Sequence, residues 1–455
     1  MNVRIKKSIP VNFQALASPP AGDFIHGGAT YRDVYRLAAG LYRELMDGHD
    51  RSPFCICSED KVLILASIIA SYFSGIPAVL PYAFSPQVIS DAKEAIGFRR
   101  IIAKDGISPI RGVDIITPVY SEQGMQEMVG QPAESEAVFL YLFTGGSTGT
   151  PRVWAKTPRN IFAEAAYQAG LFAFSRGDVV LSTVPPYHIY GLLFSIIIPL
   201  ISGASVLNDV LTFPQEIYSS IRSGVATVFV SVPMHYHVLE GSDVKGHRLR
   251  MAFSSAGALE EGDAENFFRM TGIGVREVYG STETGGIAWR CRAGGDEYLR
   301  PFEAVSWKIT GERLGVRSDF ISPELPCDGD GYFLTGDRAV ARDDGTIQLL
   351  GRSDGVVKIG GKRVDLGEVQ NKMKKIPGVT DAYLLPLKGR AGRGNEVVAL
   401  IQGTIDEAEV RRLAAANLEP YAVPRRIKVI DKIPVLSTGK YDRKAIEALF
   451  VAGKK

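Results

Sequence analysis

The chain has 455 residues, 45% of them hydrophobic, with a mean hydropathy of +0.04 and a formal net charge of +2. These values exclude a disordered, collagen-like or membrane-embedded chain and leave room for roughly two to four globular domains. The charge is uneven: from Arg352 onward there are 21 Lys and Arg against 12 Asp and Glu, a net of +9, and the remainder carries −7.

In chain order, Arg4, Lys6 and Lys7 are followed by no apolar stretch of signal-peptide length. Thr30 is an N-cap candidate for a helix to residue 47, with Tyr31, Val34, Leu37, Leu41 and Leu45 at helical spacing. Cys55 and Cys57 share one face of a strand, while Cys291 and Cys327 stand alone. Four cysteines in a chain this long make no disulfide framework, so buried free thiols in a reducing, cytoplasmic setting are expected. Residues 61–74 read as a buried helix, 78–80 as a strand and 85–97 as a helix; Ala137–Phe143 reads as a buried strand. A helix at 160–173, a strand at 178–183, a helix at 214–223 and strands at 225–231 and 249–254 continue the alternation. The most apolar runs, 62–70 and 192–201, fall short of the roughly 18 residues of a membrane span and read as core helices.

Strands alternating with helices predict an α/β lobe of parallel-type sheets covered by helices, with ligands at the carboxyl ends of strands. Residues 297–347 change to short alternating runs, a small β-rich subdomain with a hairpin turn at Asp343-Asp344-Gly345. Gly351–Gly355 reads as a linker. A compact α+β lobe follows: a hairpin (356–364), a helix (366–375), strands (379–386, 395–402), a helix (406–416) and a last strand (426–430). The expected division is a large lobe, 1–351, and a small mobile lobe, 352–455. Their opposite charges suit docking on each other and on an anionic ligand. No aromatic–basic interleaving points to nucleic acid.

The chemistry-bearing stretch is Thr144-Gly145-Gly146-Ser147-Thr148-Gly149-Thr150-Pro151-Arg152, entered from a strand. Its glycines let main-chain N–H groups approach a ligand, its hydroxyls add donors, and Arg152 and Lys156 add positive charge. Such a loop suits a polyphosphate. It is not a Walker loop, which needs Gly-Lys-[Ser/Thr] at its end.

This loop resembles the phosphate loop of the adenylate-forming superfamily of acyl- and aryl-CoA synthetases, peptide-synthetase adenylation domains and luciferases. Five further segments resemble that family's motifs in its order. They are Ala29-Thr30-Tyr31, Pro185–Gly191, Tyr279-Gly280-Ser281-Thr282-Glu283, Thr335-Gly336-Asp337 with Gly351–Asp354, and Pro434 through Lys440. The resemblance implies activation of a carboxylic acid with ATP to an acyl-adenylate, then transfer to the thiol of CoA or of a carrier protein's phosphopantetheine.

It also implies roles. Lys440 is the adenylation cation, Thr282 meets the α-phosphate, and Glu283 is the Mg²⁺ ligand. His188 lines the acyl pocket. Ser255, Ala256, Gly257, Tyr279, Gly280 and Ser281 frame the adenine; Asp337, helped by Arg352, takes the ribose hydroxyls. Asp354 is the hinge, and Lys358, Gly360 and Gly361 serve thiolation. His235 and His237 form a His-x-His pair without a third ligand nearby, read as pocket lining or surface.

Two departures stand out. Arg152 occupies the place where the family usually has lysine, and the interval from Glu283 to Asp337 is abbreviated. No acid lies between Leu181 and Ser205 to bind an α-ammonium, which argues against an amino-acid substrate. An acid with an apolar or aromatic body is expected, with Tyr190, Phe194, Phe229 and Val232 as walls. A carrier-loading enzyme and a catalytically silent nucleotide-binding protein are the alternatives.

Overall fold

The computed structural model describes residues 9, 11–47, 49–104, 110, 112–129, 136–144, 152–239, 244–352, 355–359, 362–388, 395–418, 420, 422–436 and 439–451. They form two compact units. One holds nearly all of the chain to Ser306 together with Arg317–Pro326; the other holds Trp307–Val316 and the chain from Cys327 onward.

The first unit contains two sheets. In one, β1 (Phe54–Ile56), β2 (Ala78–Leu80), β3 (Arg100–Ile102), β4 (Asp114–Ile116) and β5 (Leu140–Thr144) are parallel, and β6 (Arg152–Lys156) is antiparallel to β5. The order is β4-β3-β1-β2-β5-β6. In the other, β7 (Val179–Ser182), β8 (Ser205–Val210), β9 (Val228–Ser231), β10 (Met251–Ser254) and β11 (Val275–Ser281) are parallel. The antiparallel β12 (Gly285–Cys291) and β13 (Arg300–Pro301) complete the order β13-β12-β11-β10-β9-β7-β8. Strands β1, β2, β9 and β10 are buried throughout, as parallel strands covered on both faces must be.

The helical readings are met closely. The helix Tyr31–Asp47 starts at a reciprocal cap, the Thr30 hydroxyl accepting from the Asp33 N–H (3.1 Å) and the Asp33 carboxylate from the Thr30 N–H (3.0 Å). The helix Lys61–Ser74 is buried almost all round. At its start, buried Lys61 donates to the Leu207 and Asp209 carbonyls of β8 at 2.5 and 3.3 Å, tying the two sheets together. The expected core helix near 192–201 is continuous from Ile189 to Ser202, with a wide π turn at Leu193–Ile197 just before Pro199. A widened turn accommodates a proline, which lacks the N–H and crowds the preceding carbonyl. Four helices escape the sequence reading: Gln123–Val129, Pro233–Val238, Glu261–Thr271 and Arg443–Val451. All are short, with too few apolar residues to set up a helical repeat.

The thiol expectation holds for half of the cysteines. Cys55 and Cys57 are free and buried, their sulfurs 3.5 Å apart; Cys291 is half-buried and Cys327 exposed, at the edge of a surface turn.

The second unit begins with β14 (Ser306–Thr310), β15 (Arg313–Arg317), β16 (Phe333–Ala341) and β17 (Ile347–Arg352), in that order across one sheet. The Asp343-Asp344-Gly345 turn joins β16 to β17, with Gly345 at φ +82°. Gly351 and Arg352 are not linker: they end β17, paired with Arg338 and Asp337. The hairpin of β18 (Val356–Ile359) and β19 (Lys362–Asp365) follows. Then β20 (Val379–Lys388), β21 (Asn395–Gly403) and β22 (Arg426–Ile430) form a mixed sheet. One face packs Leu384, Val397 and Ile401 against Val369, Met373 and Val410 of the helices Leu366–Lys374 and Glu407–Asn417. The other packs Leu385, Val398 and Leu400 against Ile446 and Phe450.

Candidate active site

The β5–β6 pairing sets Thr144 opposite Arg152 and Leu140 opposite Lys156. Residues 144 and 152 therefore flank the segment expected to bind phosphate. The loop residues Gly145, Gly146, Ser147, Thr148 and Gly149 lie outside the described residues. At the flanking positions, the Thr144 hydroxyl accepts from the Trp154 indole N–H at 3.2 Å, and Arg152 is exposed.

Lys156 has a different position from the one its sequence neighbourhood suggests. It sits at the far end of the hairpin, about 13 Å along the strand from Arg152. Only 1% exposed, its ammonium donates to the main-chain carbonyls of Phe320 (3.2 Å) and Glu283 (3.4 Å). Its charge is thus committed beneath the Thr282–Glu283 turn rather than to the phosphate loop.

That turn is the most constrained part of the site. Strand β10 ends at Ser254 beside Glu277 of its parallel neighbour β11, which runs on to Ser281, so Ser255-Ala256-Gly257 leave β10 alongside the carboxyl end of β11 that carries Tyr279-Gly280-Ser281. The Ser255 hydroxyl donates to the Val278 carbonyl at 2.8 Å. Ala256 adopts φ +68°, an uncommon conformation for a non-glycine residue. Gly257 lies against Pro233, whose Cγ would be 3.6 Å from an added Cβ. Tyr279 is half-buried.

At Gly280 an added Cβ would sit 2.3 Å from the Gly285 carbonyl oxygen, so only glycine lets the β11–β12 hairpin close. The turn itself is braced by Ser281 and Thr284, whose hydroxyls lie 2.8 Å apart and each accept from the other's N–H (3.2 and 3.3 Å). The Glu283 carbonyl also accepts from the Ser322 N–H at 2.8 Å. Thr282 and Glu283 are therefore held by their backbone and left half-buried at the tip.

Beneath them lies a second buried ionisable group that sequence reading did not single out. Glu164, on the helix Pro158–Leu171, accepts from the Gly286 N–H (2.7 Å) and the Gln168 amide (2.9 Å). Burial pushes its carboxyl up from 4.5 to about 7, against the opposing pull of the Gly286 N–H and Lys156. Burial likewise brings Lys156 down from 10.5 to about 8, with Glu164 opposing. Asn160 of the same helix donates to the Asp319 and Ile321 carbonyls at 2.8 and 3.0 Å, fixing the segment that contains Phe320. In sequence, its neighbours do not say which way the Glu164 carboxylate faces.

The raised carboxyl makes a pH prediction. Between about 4.5 and 7 the native Glu164 keeps a proton that the unfolded chain releases, so stability falls as pH rises through this window. From about 8 to 10.5 the native Lys156 has released a proton that the unfolded chain keeps, so its contribution rises with pH. Glu164→Gln should remove the first slope, a difference of up to about 3 kcal/mol between pH 4.5 and 7.5. Urea midpoints of both proteins at those pH values measure it, and identical pH slopes would overturn the assignment.

His188 lies at the entry to the helix that begins at Ile189, half-buried, with its ring 4.9 Å from that of Tyr187. The segment is pinned from behind: a Cβ on Gly191 would lie 2.1 Å from the Pro185 carbonyl oxygen. Of the expected pocket walls, Phe194 and Phe229 cannot share one pocket. Phe229 packs with Tyr236 and Phe267 on one face of the sheet, and Phe194 with Phe253 on the other. Val232 and Tyr190 flank instead a polar group at the ends of β7 and β9. There His235 Nδ1 lies 2.7 Å from the Thr183 hydroxyl, which is 2.7 Å from that of Ser231. Burial lowers the His235 pKa. His237 is exposed and meets Asp263 at 3.1 Å, so the His-x-His pair does not converge.

In the second unit, Thr335-Gly336-Asp337 lies inside β16, and Asp337 is directly opposite Arg352. Lys358 is on β18; Asp354, Gly360 and Gly361 lie outside the described residues. Lys440 is exposed on a tight hairpin whose Leu436 N–H donates to the Lys440 carbonyl at 2.7 Å.

Among the described residues no group of three or more His, Cys, Asp or Glu could hold a metal ion. The single carboxylate of Glu283 beside a hydroxyl fits a Mg²⁺ ion that takes its other ligands from nucleotide phosphates and water. Nor is any helix of the described residues long and apolar enough to cross a membrane.

The chain is 26% identical to the mitochondrial malonate–CoA ligase of Homo sapiens, over 97% of this chain and 92% of that one. It shares 26% identity with the sulfoacetate–CoA ligase of Cupriavidus necator, over 69% of this chain and 67% of that one. Its fold matches the ATP-bound crystal structure of MatB from Rhodopseudomonas palustris with a TM-score of 0.81, at 19% identity, over 96% of this chain and 98% of that one. Residues 28–342 match the family of AMP-binding enzymes. The chain belongs to the AMP-binding enzyme family.

Proposed function

We infer that the chain is an AMP-forming acid–CoA ligase. The observation that carries this reading is the braced Thr282–Glu283 turn at the strand ends that also bring Ser255–Gly257 and Tyr279 together, in a chain of this family. In the first half-reaction a carboxylate oxygen bonds to the α-phosphorus of ATP and the bond to pyrophosphate breaks. In the second, the thiol sulfur bonds to the acyl carbon, its proton is lost and AMP leaves. Two anions meet in the first step, so fixed positive charge and donors lower its barrier.

Thr282 and the loop from Thr144 to Arg152 would hold the phosphates. Tyr279 and Ser255–Gly257 would hold the base, and Asp337 with Arg352 the ribose. Lys440 would supply the cation of adenylation, and Lys358, Gly360 and Gly361 would serve thiolation after a rotation at Asp354. A Mg²⁺ ion at Glu283 would neutralise phosphate charge. For the acid, the Thr183–Ser231–His235 group favours a short acid with a second polar group over a hydrocarbon acid, in line with the malonate and sulfoacetate ligases among its relatives.

The test is pyrophosphate release with ATP and Mg²⁺ across malonate, sulfoacetate, butyrate, benzoate and o-succinylbenzoate, with and without CoA. Acid-dependent release and an acyl-CoA product are expected, strongest with the acids bearing a second anionic group. Release that needs a carrier protein in place of CoA would move the acceptor. No acid-dependent release would sink the ligase reading.

A further inference from the structure

Lys440 is exposed, and a long lysine on a hairpin has no intrinsic register. The structure supplies one from the residue behind it. The Tyr441 hydroxyl donates to Asp381, with Oδ1 at 2.8 Å and Oδ2 at 3.0 Å. It accepts from Lys374 Nζ at 3.3 Å, and Lys374 in turn pairs with Asp381 at 2.8 Å. The Tyr441 ring packs on Tyr383 with centroids 4.6 Å apart. Two elements therefore grip one side chain: the helix Leu366–Lys374 through Lys374, and β20 through Asp381 and Tyr383.

The backbone completes the grip. Val435 bridges Tyr441, the Gly439 N–H donates to the Leu436 carbonyl (2.9 Å), and the Asp442 N–H donates to the Pro434 carbonyl (2.9 Å). Gly439 takes φ +78°, which lets the chain turn just before Lys440. Lys440 sits in the bend immediately before the bridge residue Tyr441, exposed where Tyr441 is half-buried, so anchoring Tyr441 fixes the backbone from which the Lys440 side chain leaves.

We propose that Asp381, Lys374 and Tyr441 are positioning residues that set the register of Lys440 for the adenylation step. This rests on the reading of Lys440 as the adenylation cation. The three do not touch reactants; they act through the backbone of a neighbour. Three side chains joined pairwise around one carboxylate form a network in which losing any member loosens the others. A shift of about 1 Å in a reacting group can cost about a hundredfold in rate.

The experiment compares Tyr441→Phe, which keeps the ring on Tyr383, with Asp381→Asn, Lys374→Met and Lys440→Ala. Each is assayed for ATP–pyrophosphate exchange with malonate, or the best acid of the panel above, and for thioester formation from supplied acyl-adenylate and CoA. Expected for Tyr441→Phe is an adenylation kcat lower by about ten- to a hundredfold, an unchanged KM for ATP, and thioester formation within about twofold of the parent. Asp381→Asn should give the same pattern, and the double variant should lose no more than either single one. Equal loss in both half-reactions, or none, overturns the inference. If Lys440→Ala abolishes adenylation while Tyr441→Phe and Lys374→Met leave it intact, positioning alone falls. If Lys440→Ala leaves adenylation intact, the role of Lys440 falls first and the inference with it.

Discussion

Lys440→Ala is expected to lower acyl-adenylate formation by about a hundredfold or more while leaving thioester formation from a supplied adenylate near the parent rate. The magnitude is that of removing one fixed group from a charge-developing step. The physical ground is that adenylation brings a carboxylate to a polyphosphate, whereas attack of a thiol on an adenylate expels AMP and brings no second anion to phosphorus. A cation is needed in the first and dispensable in the second. Lys440 is exposed on a hairpin, so the fold should survive its loss. Single-turnover assays of the two half-reactions decide it; equal loss in both would show that Lys440 serves the structure or both steps.

Gly285→Ala is the substitution expected to cost most stability. Gly285 has φ +67°, where an L side chain costs about 1–2 kcal/mol. Its added Cβ would lie 2.5 Å from Glu164 Oε2 and 2.6 Å from Phe320 Cβ. Relief requires moving a carboxylate already held by Gly286 and Gln168, or a backbone segment already held by Asn160 and Lys156. Overpacking of this kind adds about 1–3 kcal/mol, so the sum is about 2–5 kcal/mol. The turn carrying Thr282 and Glu283 would shift with it, and adenylation should fall together with stability. A urea midpoint within error of the parent, with full activity, would show that the turn accommodates the methyl and that the close approach is not a constraint.

Much of this molecule is legible in one dimension because its signals are local. Apolar runs of strand length between helical repeats sufficed for the parallel character of the sheets in the first unit. Thr30 before Asp33 marked a helix start through a cap spanning three residues. The motifs are likewise contiguous, and a glycine such as Gly280 is readable because its backbone permits what a side chain forbids.

Other features have no local signal. Nothing near Lys156 says whether its ammonium faces the loop or the core; that depends on where residues 283 and 320 fall, more than a hundred positions away. Phe229 belongs to a strand, but alternation alone does not say which face holds the pocket, so the sequence groups it with Phe194 although the sheet separates them. Glu164 reads as a surface charge until burial and the Gly286 N–H give it another role. Gly351 and Arg352 have linker composition, yet pairing with β16 makes them strand.

By itself, the sequence determined the class of fold, the family and the chemistry its motifs can support, since each depends on residue type and short-range periodicity. Only the tertiary structure decided which charges are buried, which backbone groups they satisfy, and how Tyr441, Asp381 and Lys374 hold the residue beside them. Those are outcomes of long-range packing, where desolvation and unpaired polar groups cost far more than any local preference.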